Sequence, residues 1–255
     1  MSPDDERLQQ WGVLRLRADN PGPLTMSGTN SWVVGRDPAW VVDPGPALAE
    51  HQEALVAALV QRGGLGGIAL THDHIDHSES VDALRERFPA PLAAGRAPAD
   101  VELSDGARFG PFEVLYTPGH APDHFALIVD GVCFTGDAVL GEGSVFIDRN
   151  PGALAGYLNA LARLRDREPD VLCPGHGPPI WNPRERLSEY IEHRLDRERR
   201  LLAAIAKGRR TTEELLDDAW SDVPEQLRPL AAVTLAAHLD KLAEEGRLPL
   251  PFAAQ

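Results

Sequence analysis

Over residues 1–180, short runs of β-branched and aromatic residues bounded by Gly, Pro and Asp alternate with Ala- and Leu-rich stretches at helical spacing. Trp32-Val-Val and Trp40-Val-Val-Asp43 predict adjoining strands, with the turn over Gly35 to Pro38, because such residues favour strands and Gly and Pro punctuate them. Leu48 to Leu59 is apolar at helical spacing and stops at Gly63-Gly64. Ile68-Ala-Leu70 is expected as a short buried strand, Ser78 to Phe88 as a helix ended by Pro89, and Phe112 to Tyr116 as a further strand. Asp130-Gly131 between two apolar runs, Phe125 to Val129 and Val132 to Phe134, signals a tight hairpin. Gly152 to Arg167 predicts a helix and Val171-Leu172 a final strand. Strands and helices mix without a regular βαβ count, so an α/β fold with mixed sheets is expected rather than a barrel.

Beyond the Pro-rich stretch Pro174 to Pro183 the pattern becomes almost wholly helical. Leu187 to Ala206 is one long amphipathic segment, and Thr211 with Glu214 three residues on predicts a capping box that opens a second helix. Leu235, Leu239 and Leu242 share a helical face, with Gly246 placed as the stop. Two domains are expected, over residues 1–183 and 184–255, the second a small helical or winged-helix appendage that includes the Leu248-Pro-Leu tail.

Composition narrows the class. With 255 residues, 43% of them apolar, the chain can bury a sizeable core. Lys+Arg 25 against Asp+Glu 39 gives a net charge of −14, which disfavours coating nucleic acid or an anionic membrane. Two cysteines, Cys133 and Cys173, exclude a disulfide scaffold and suggest a reducing compartment. No apolar run approaches the ~20 residues of a membrane span. The acidic start lacks the pattern of a signal peptide, so a cytoplasmic location is expected.

The densest chemistry lies at Thr71-His72-Asp73-His74-Ile75-Asp76-His77, directly after a predicted strand. So many polar groups cannot all be core residues, because each needs a partner when buried. A strand end holds His72 and His74 on one side, and the following turn can bring Asp76 and His77 to a second point. One tetrahedral ion rarely takes four ligands from so tight a cluster, so the set looks divided between two metals. Three later strands each end in a loop with a metal-capable side chain beside a glycine: His120, Asp137 and His176. Four strands would then deliver ligands to one edge of the sheets.

The motif His72-x-His74-x-Asp76-His77, followed in order by His120, Asp137 and His176, resembles the metallo-β-lactamase superfamily over about residues 20–180. The resemblance implies a four-layer αβ/βα sandwich with a dinuclear centre. His72, His74 and His120 would hold the first metal, Asp76, His77 and His176 the second, and Asp137 would bridge them. Asn20-Pro-Gly-Pro, Met26-Ser-Gly-Thr-Asn30, Gly136-Asp-Ala-Val-Leu-Gly-Glu-Gly143 and the tail containing Tyr190-Ile-Glu-His193-Arg are similar to the lactamase-beta-2-like group. That group has a winged-helix-like C-terminal appendage and includes a single-strand endoribonuclease, with thioesterases among its relatives.

Imidazole and carboxylate ligands without thiolate suit Zn²⁺, with Mn²⁺ or Fe²⁺ as alternatives. Two such ions can share a hydroxide, because metal binding lowers the pKa of water to about 7. Asp76 would bind metal and orient the nucleophile, while Asp73 and Glu142 are candidates to accept from the free ring nitrogens of the ligands. His124, four residues after His120, is read either as a proton donor to the leaving group or substrate contact, or as a structural histidine. Ser27 to Asn30 either lines the mouth of the site or forms a plain turn. Cys133 and Cys173 are expected to be packed and inert, and His51, His193 and His238 to lie on the surface.

A secreted antibiotic-degrading enzyme does not fit the lack of an export signal, and the Gly141-Glu-Gly loop departs from a glutathione thioesterase. The remaining contest lies between an ester or thioester hydrolase, which is favoured, and an endoribonuclease acting on single-stranded RNA. A non-catalytic metal-binding module is the third reading. Residues 184–210 hold nine basic against five acidic residues, and 211–248 hold three against nine. Pro229 to Glu245 offers one basic residue, Lys241, so sequence-specific DNA binding is not expected. Basic residues over 184–200 would either guide a short RNA strand or form an ion-paired solvated face.

Overall fold

The computed structural model describes residues 2–96, 98–147 and 149–248. In chain order the elements are α1 (Pro3–Gln9), β1 (Val13–Arg17), β2 (Asn30–Val34), β3 (Ala39–Val42), α2 (Ala49–Gln61), β4 (Leu65–Ala69), α3 (Ile75–Ser78), α4 (Val81–Arg87), β5 (Leu92–Ala94) and β6 (Val101–Glu102). The second half comprises β7 (Arg108–Phe109), β8 (Phe112–Tyr116), β9 (Phe125–Val129), β10 (Val132–Gly136), α5 (Ala153–Asp166), β11 (Val171–Pro174), α6 (Pro183–Ala206), α7 (Thr212–Ala219) and α8 (Arg228–Glu244).

One sheet has the order β1-β2-β3-β4-β5-β6 and the other β11-β10-β9-β8-β7. In the first, β1 to β3 pair antiparallel and β3 to β6 parallel. In the second, only β10 and β11 run parallel. Side chains alternate across a strand, and the sequence uses both faces. Trp32, Val34 and Val42 point inward to meet Phe112, Leu127 and Phe134 of the other sheet in one shared core. Val33, Val41 and Ile68 point outward and are covered by Leu55 and Leu59 of α2 and Leu84 of α4. On the far side, Leu115, Ala126 and Cys133 are covered by Tyr157, Leu161 and Leu164 of α5 and by Leu187 and Tyr190 of α6. The result is the expected α/β sandwich of four layers. Inner strands such as β10 and β11 are buried along their whole length because neither face meets water.

Helix α6 links two cores. Its first half joins the outer layer of the second sheet, while Leu201, Ala204 and Ile205 pack with Leu215, Trp220, Leu235 and Leu242 of the appendage. The appendage is helical among the described residues; the Pro249-Leu250 part of the tail lies outside them. Among the described residues no helix is long and apolar enough to cross a membrane. Thr211 forms the expected capping box with Glu214 at the start of α7. Thr211→Ala is therefore expected to cost about 1 kcal/mol, seen as a fall of a few degrees in Tm without change in activity.

Several details differ from the sequence reading. The stretch 78–88 is broken at Ser80, so that α3 carries Asp76 and His77 and α4 begins only at Val81. Strands β1, β5, β6 and β7 and helix α1 were not anticipated; three of these strands span only two or three residues, too short for periodicity to register. His51 is buried, with Nε2 2.9 Å from Ser31 Oγ, and His238 is completely buried, whereas His193 is half-buried. None of the three is fully on the surface, because the helices carrying them pack against other elements on the faces that hold these rings. Both cysteines are free and buried, and burial pushes the Cys133 thiol up to about 12.

Candidate metal centre

The ends of β4, β10 and β11 and the loop after β8 converge on one edge of the sandwich, and all seven candidate ligands meet there. His72 Nε2, His74 Nδ1 and His120 Nε2 form one group: His74 Nδ1 is 3.0 Å from each of the other two. A second group gathers Asp76, His77 and His176, with Oδ2 of Asp76 3.5 Å from His77 Nε2 and 3.4 Å from His176 Nε2. Asp137 lies between them. Its Oδ2 is 3.6 Å from His120 Nε2 and 3.4 Å from His176 Nε2, and its Oδ1 is 3.6 Å from His77 Nε2.

The ring orientations follow from partners outside the cluster. Thr71 Oγ1 donates its one proton to Asp43 Oδ2 at 2.7 Å, so at 3.0 Å from His72 Nδ1 it acts as acceptor. The backbone carbonyls of Phe146 and Gly28 face Nδ1 of His120 and His176 at 3.1 and 3.4 Å, and carbonyls only accept. Asp43 Oδ2 takes the Nδ1 proton of His77 at 3.0 Å. Each of these four rings is thereby fixed with Nδ1–H outward and Nε2 toward the centre.

A proton on His74 Nδ1 could serve only one of the two Nε2 lone pairs that face it at 3.0 Å, whereas a shared cation would satisfy all three nitrogens. Two nitrogens around a tetrahedral ion with bonds of about 2.0–2.1 Å sit roughly 3.3 Å apart, near the spacing seen here. His77 Nε2 and Asp137 Oδ1 are buried without a hydrogen-bond partner among the described residues. The donor set therefore fits divalent cations.

The electrostatics are those of a tightly coupled cluster. Burial lowers the His77 pKa, but the Asp137 and Asp43 carboxylates outweigh it and raise it to about 9. Burial raises the Asp137 pKa, yet His77 and His176 hold it well below the usual carboxylate range. His72 and His120 are lowered, chiefly by burial. Asp137 is thus kept as a carboxylate between the two groups, where cations would sit.

Two glycines make the close approach possible. A Cβ on Gly175 would lie 2.4 Å from Asp137 Oδ1 and 2.6 Å from His77 Cε1. Gly136, at φ +44°, would press a Cβ to 2.3 Å from Thr71 Oγ1.

The supporting residues differ in part from those expected. Asp73 pairs with Arg96 at 3.1 Å and Glu142 is exposed, so neither accepts from a ring of the centre. Asp43 takes that role instead, buried beside β4 because Val42 of β3 registers with Ala69. Its signal was present: Trp40-Val-Val-Asp43-Pro-Gly is itself an apolar strand ending in an acid and a turn. Within Ser27 to Asn30, Thr29 is buried and donates to Asp76 Oδ2 at 3.0 Å, while Asn20 Nδ2 donates to Thr29 Oγ1 at 3.0 Å. Asn30 Nδ2 instead ties down the carbonyls of Pro174 and Gly177, which flank His176.

His124 is fully buried, with Nδ1 2.8 Å from Thr117 Oγ1, and its Nε2 accepts from the Asp137 backbone N–H at 3.2 Å. Burial first, then His120, pushes its pKa down to about 3. Both nitrogens are engaged, which leaves none for a leaving group.

Residues 24–103 and 93–176 match the Metallo-beta-lactamase superfamily, and residues 211–248 match the Beta-lactamase associated winged helix domain. The chain is 31% identical to a Beta-lactamase-like protein 2 homolog of Drosophila melanogaster over 95% of its own length and 91% of that protein's. It is 30% identical to an Atrochrysone carboxyl ACP thioesterase of Aspergillus chevalieri, covering 88% of this chain and 78% of the other. Among solved structures, a metallo-beta-lactamase family protein from Thermus thermophilus superposes with a TM-score of 0.70 at 26% identity, over 92% of this chain and 94% of that one.

Proposed function

The chain belongs to the metallo-β-lactamase superfamily of hydrolases, and from that premise we propose that it is a dinuclear metallohydrolase of small-molecule carboxylic thioesters or esters. In this reading His72, His74 and His120 would hold one divalent ion and Asp76, His77 and His176 the other, with Asp137 available to both. Zn²⁺ suits the mixture of imidazole and carboxylate, with Mn²⁺ or Fe²⁺ as alternatives. The observation that carries the reading is the convergence of inward-facing imidazole nitrogens around a carboxylate that lies between two groups.

When bound, the ions supply a water made acidic near neutrality and a Lewis acid for the carbonyl oxygen. The protein's own part is orientation. Asp76, held by the Thr29 hydroxyl, would accept a hydrogen bond from the attacking water and so orient it toward the carbonyl carbon. His124 serves as a positioning residue that fixes the Asp137 backbone. We place the catalytic domain at residues 1–183 and the appendage at 184–255, with α6 (Pro183–Ala206) running from one into the other.

Three observations support an acyl substrate. Ile75, between two residues of the centre, is 69% exposed and offers an apolar lip to an acyl chain. The basic face of α6 is occupied by carboxylates: Arg199 and Arg200 pair with Asp196, and Arg197 with Asp222. An ion-paired face of this kind is a poor track for RNA. A similar protein, from Aspergillus chevalieri, is named a thioesterase.

The test is a panel of acyl thioesters, carboxylic esters and labelled single-stranded RNA, run before and after chelation and with Zn²⁺ or Mn²⁺ restored. We expect thioester or ester cleavage that disappears on chelation and returns with metal, and intact RNA. Cleavage of RNA alone would overturn the substrate class. Hydrolysis that survives exhaustive chelation would overturn the metal chemistry.

A further inference from the structure

The loop between β10 and α5 passes beside the centre and is gripped by the helices that follow the catalytic sandwich. On α6, Arg186, Tyr190 and Arg194 are spaced four residues apart and so face the same way. Arg186 Nη2 donates to the carbonyls of Leu140 and Gly143, each at 3.2 Å. The Tyr190 hydroxyl accepts from the Leu140 N–H at 3.2 Å and donates to the Gly143 carbonyl at 3.0 Å. Arg194 donates to the Val145 carbonyl and, at 3.5 Å, to Ser144 Oγ. From α8, Thr234 Oγ1 accepts the Ile147 N–H at 3.5 Å, and Asp240 pairs with Arg149 at 2.9 Å. The next residue after Val145 is Phe146, whose carbonyl receives the Nδ1 proton of His120 at 3.1 Å.

We infer that the appendage is a working part of the centre: through Arg194 it positions the 140–147 loop, and through the Phe146 carbonyl it aims His120 at the first ion. The inference rests on the dinuclear reading above. Arg194 is a positioning residue, since it touches the loop and not the reacting atoms. Its situation argues for such a role. The side chain is 2% exposed, and among the described residues no carboxylate pairs with it. A buried guanidinium is costly to desolvate, and an apolar residue would pack between Tyr157 and the loop without that cost. What only the guanidinium supplies is a fork of donors for backbone and hydroxyl oxygens. Partners that orient a ligand histidine typically govern metal affinity by about 10–100-fold.

The experiment compares Arg194→Met with Arg197→Met in the full chain. Arg197 is equally buried and lies one turn on, but it grips Asp222 and the Ala219 carbonyl inside the appendage. Zn²⁺ affinity is measured by competition with a chromophoric chelator, and the loss is assigned to one site from the absorption of the Co²⁺-loaded protein. We expect Arg194→Met to weaken one of two ions by roughly tenfold or more, with Arg194→Lys recovering part of the loss. Arg197→Met should lower Tm and leave both affinities unchanged. Equal losses in both Met variants, or wild-type affinity in a folded Arg194→Met, would overturn the inference while leaving the dinuclear reading intact. A wild-type protein that binds no divalent ion would overturn that reading, and this inference with it. If Arg194→Met fails to fold, Tyr190→Phe decides: a few-fold weaker ion and faster amide exchange over 140–147 support the coupling, and no change in either refutes it.

Discussion

Asp76→Ala is expected to lower kcat/KM on the best acyl substrate by about a thousandfold, or roughly 4 kcal/mol of transition-state stabilisation. The residue has two duties in the proposed chemistry, as ligand and as acceptor for the attacking water, and both reside in one carboxylate. The fold should survive, because the side chain is 25% exposed and its polar partners among the described residues are Thr29, His77 and His176. Circular dichroism and Tm should therefore match the wild type while turnover collapses and one equivalent of metal is bound more weakly. A variant within tenfold of wild-type activity would remove Asp76 from the mechanism.

Asp43→Asn should produce the second large effect, without replacing any proposed ligand. Asp43 adopts φ +51°, a left-handed conformation that asparagine also tolerates, so the substitution isolates charge from shape. The carboxylate accepts three times: from the Thr71 N–H at 2.7 Å, the Thr71 hydroxyl at 2.7 Å and His77 Nδ1 at 3.0 Å. An amide turns one of its two ends into a donor. Facing Nδ1–H, that donor drives the His77 proton to Nε2, the nitrogen meant for the ion. Affinity for the ion at Asp76, His77 and His176 should fall about 10–100-fold, and stability by about 1–3 kcal/mol. Chelator competition and thermal unfolding measure the two losses separately. An Asp43→Asn protein that binds metal as tightly as wild type would show that His77 does not depend on this partner.

His74, Asp76 and His77 were legible from the density of the 71–77 motif, and the other four ligands because each is a polar residue placed by its own strand. His72, His120, Asp137 and His176 follow apolar runs that predict strands, so their convergence needs only that the strands lie together. Asp43 and Thr71 act differently. Their bond exists because β3 pairs with β4 in parallel, a register that no local pattern encodes. The spacing of His124 from His120 fits a proton donor and a structural ring equally well, and only burial separates them. His238 sits on a helical pattern that looks solvent-facing until Trp220 is placed against it, ring to ring at 5.5 Å. The broad α/β class was legible because hydrophobic periodicity sets element type, whereas Leu92–Ala94 and the two-residue strands hold too little pattern to register.

The crowding at Gly175 divides the site into a floor that tolerates no sequence drift and a rim that does. Any library that randomises position 175 should return glycine alone among active clones. Altered selectivity would instead arise at Ile75, whose side chain is open to solvent beside His74 and Asp76. Laboratory evolution toward new substrates would accordingly leave the ligand-bearing floor untouched and write its changes around the entrance.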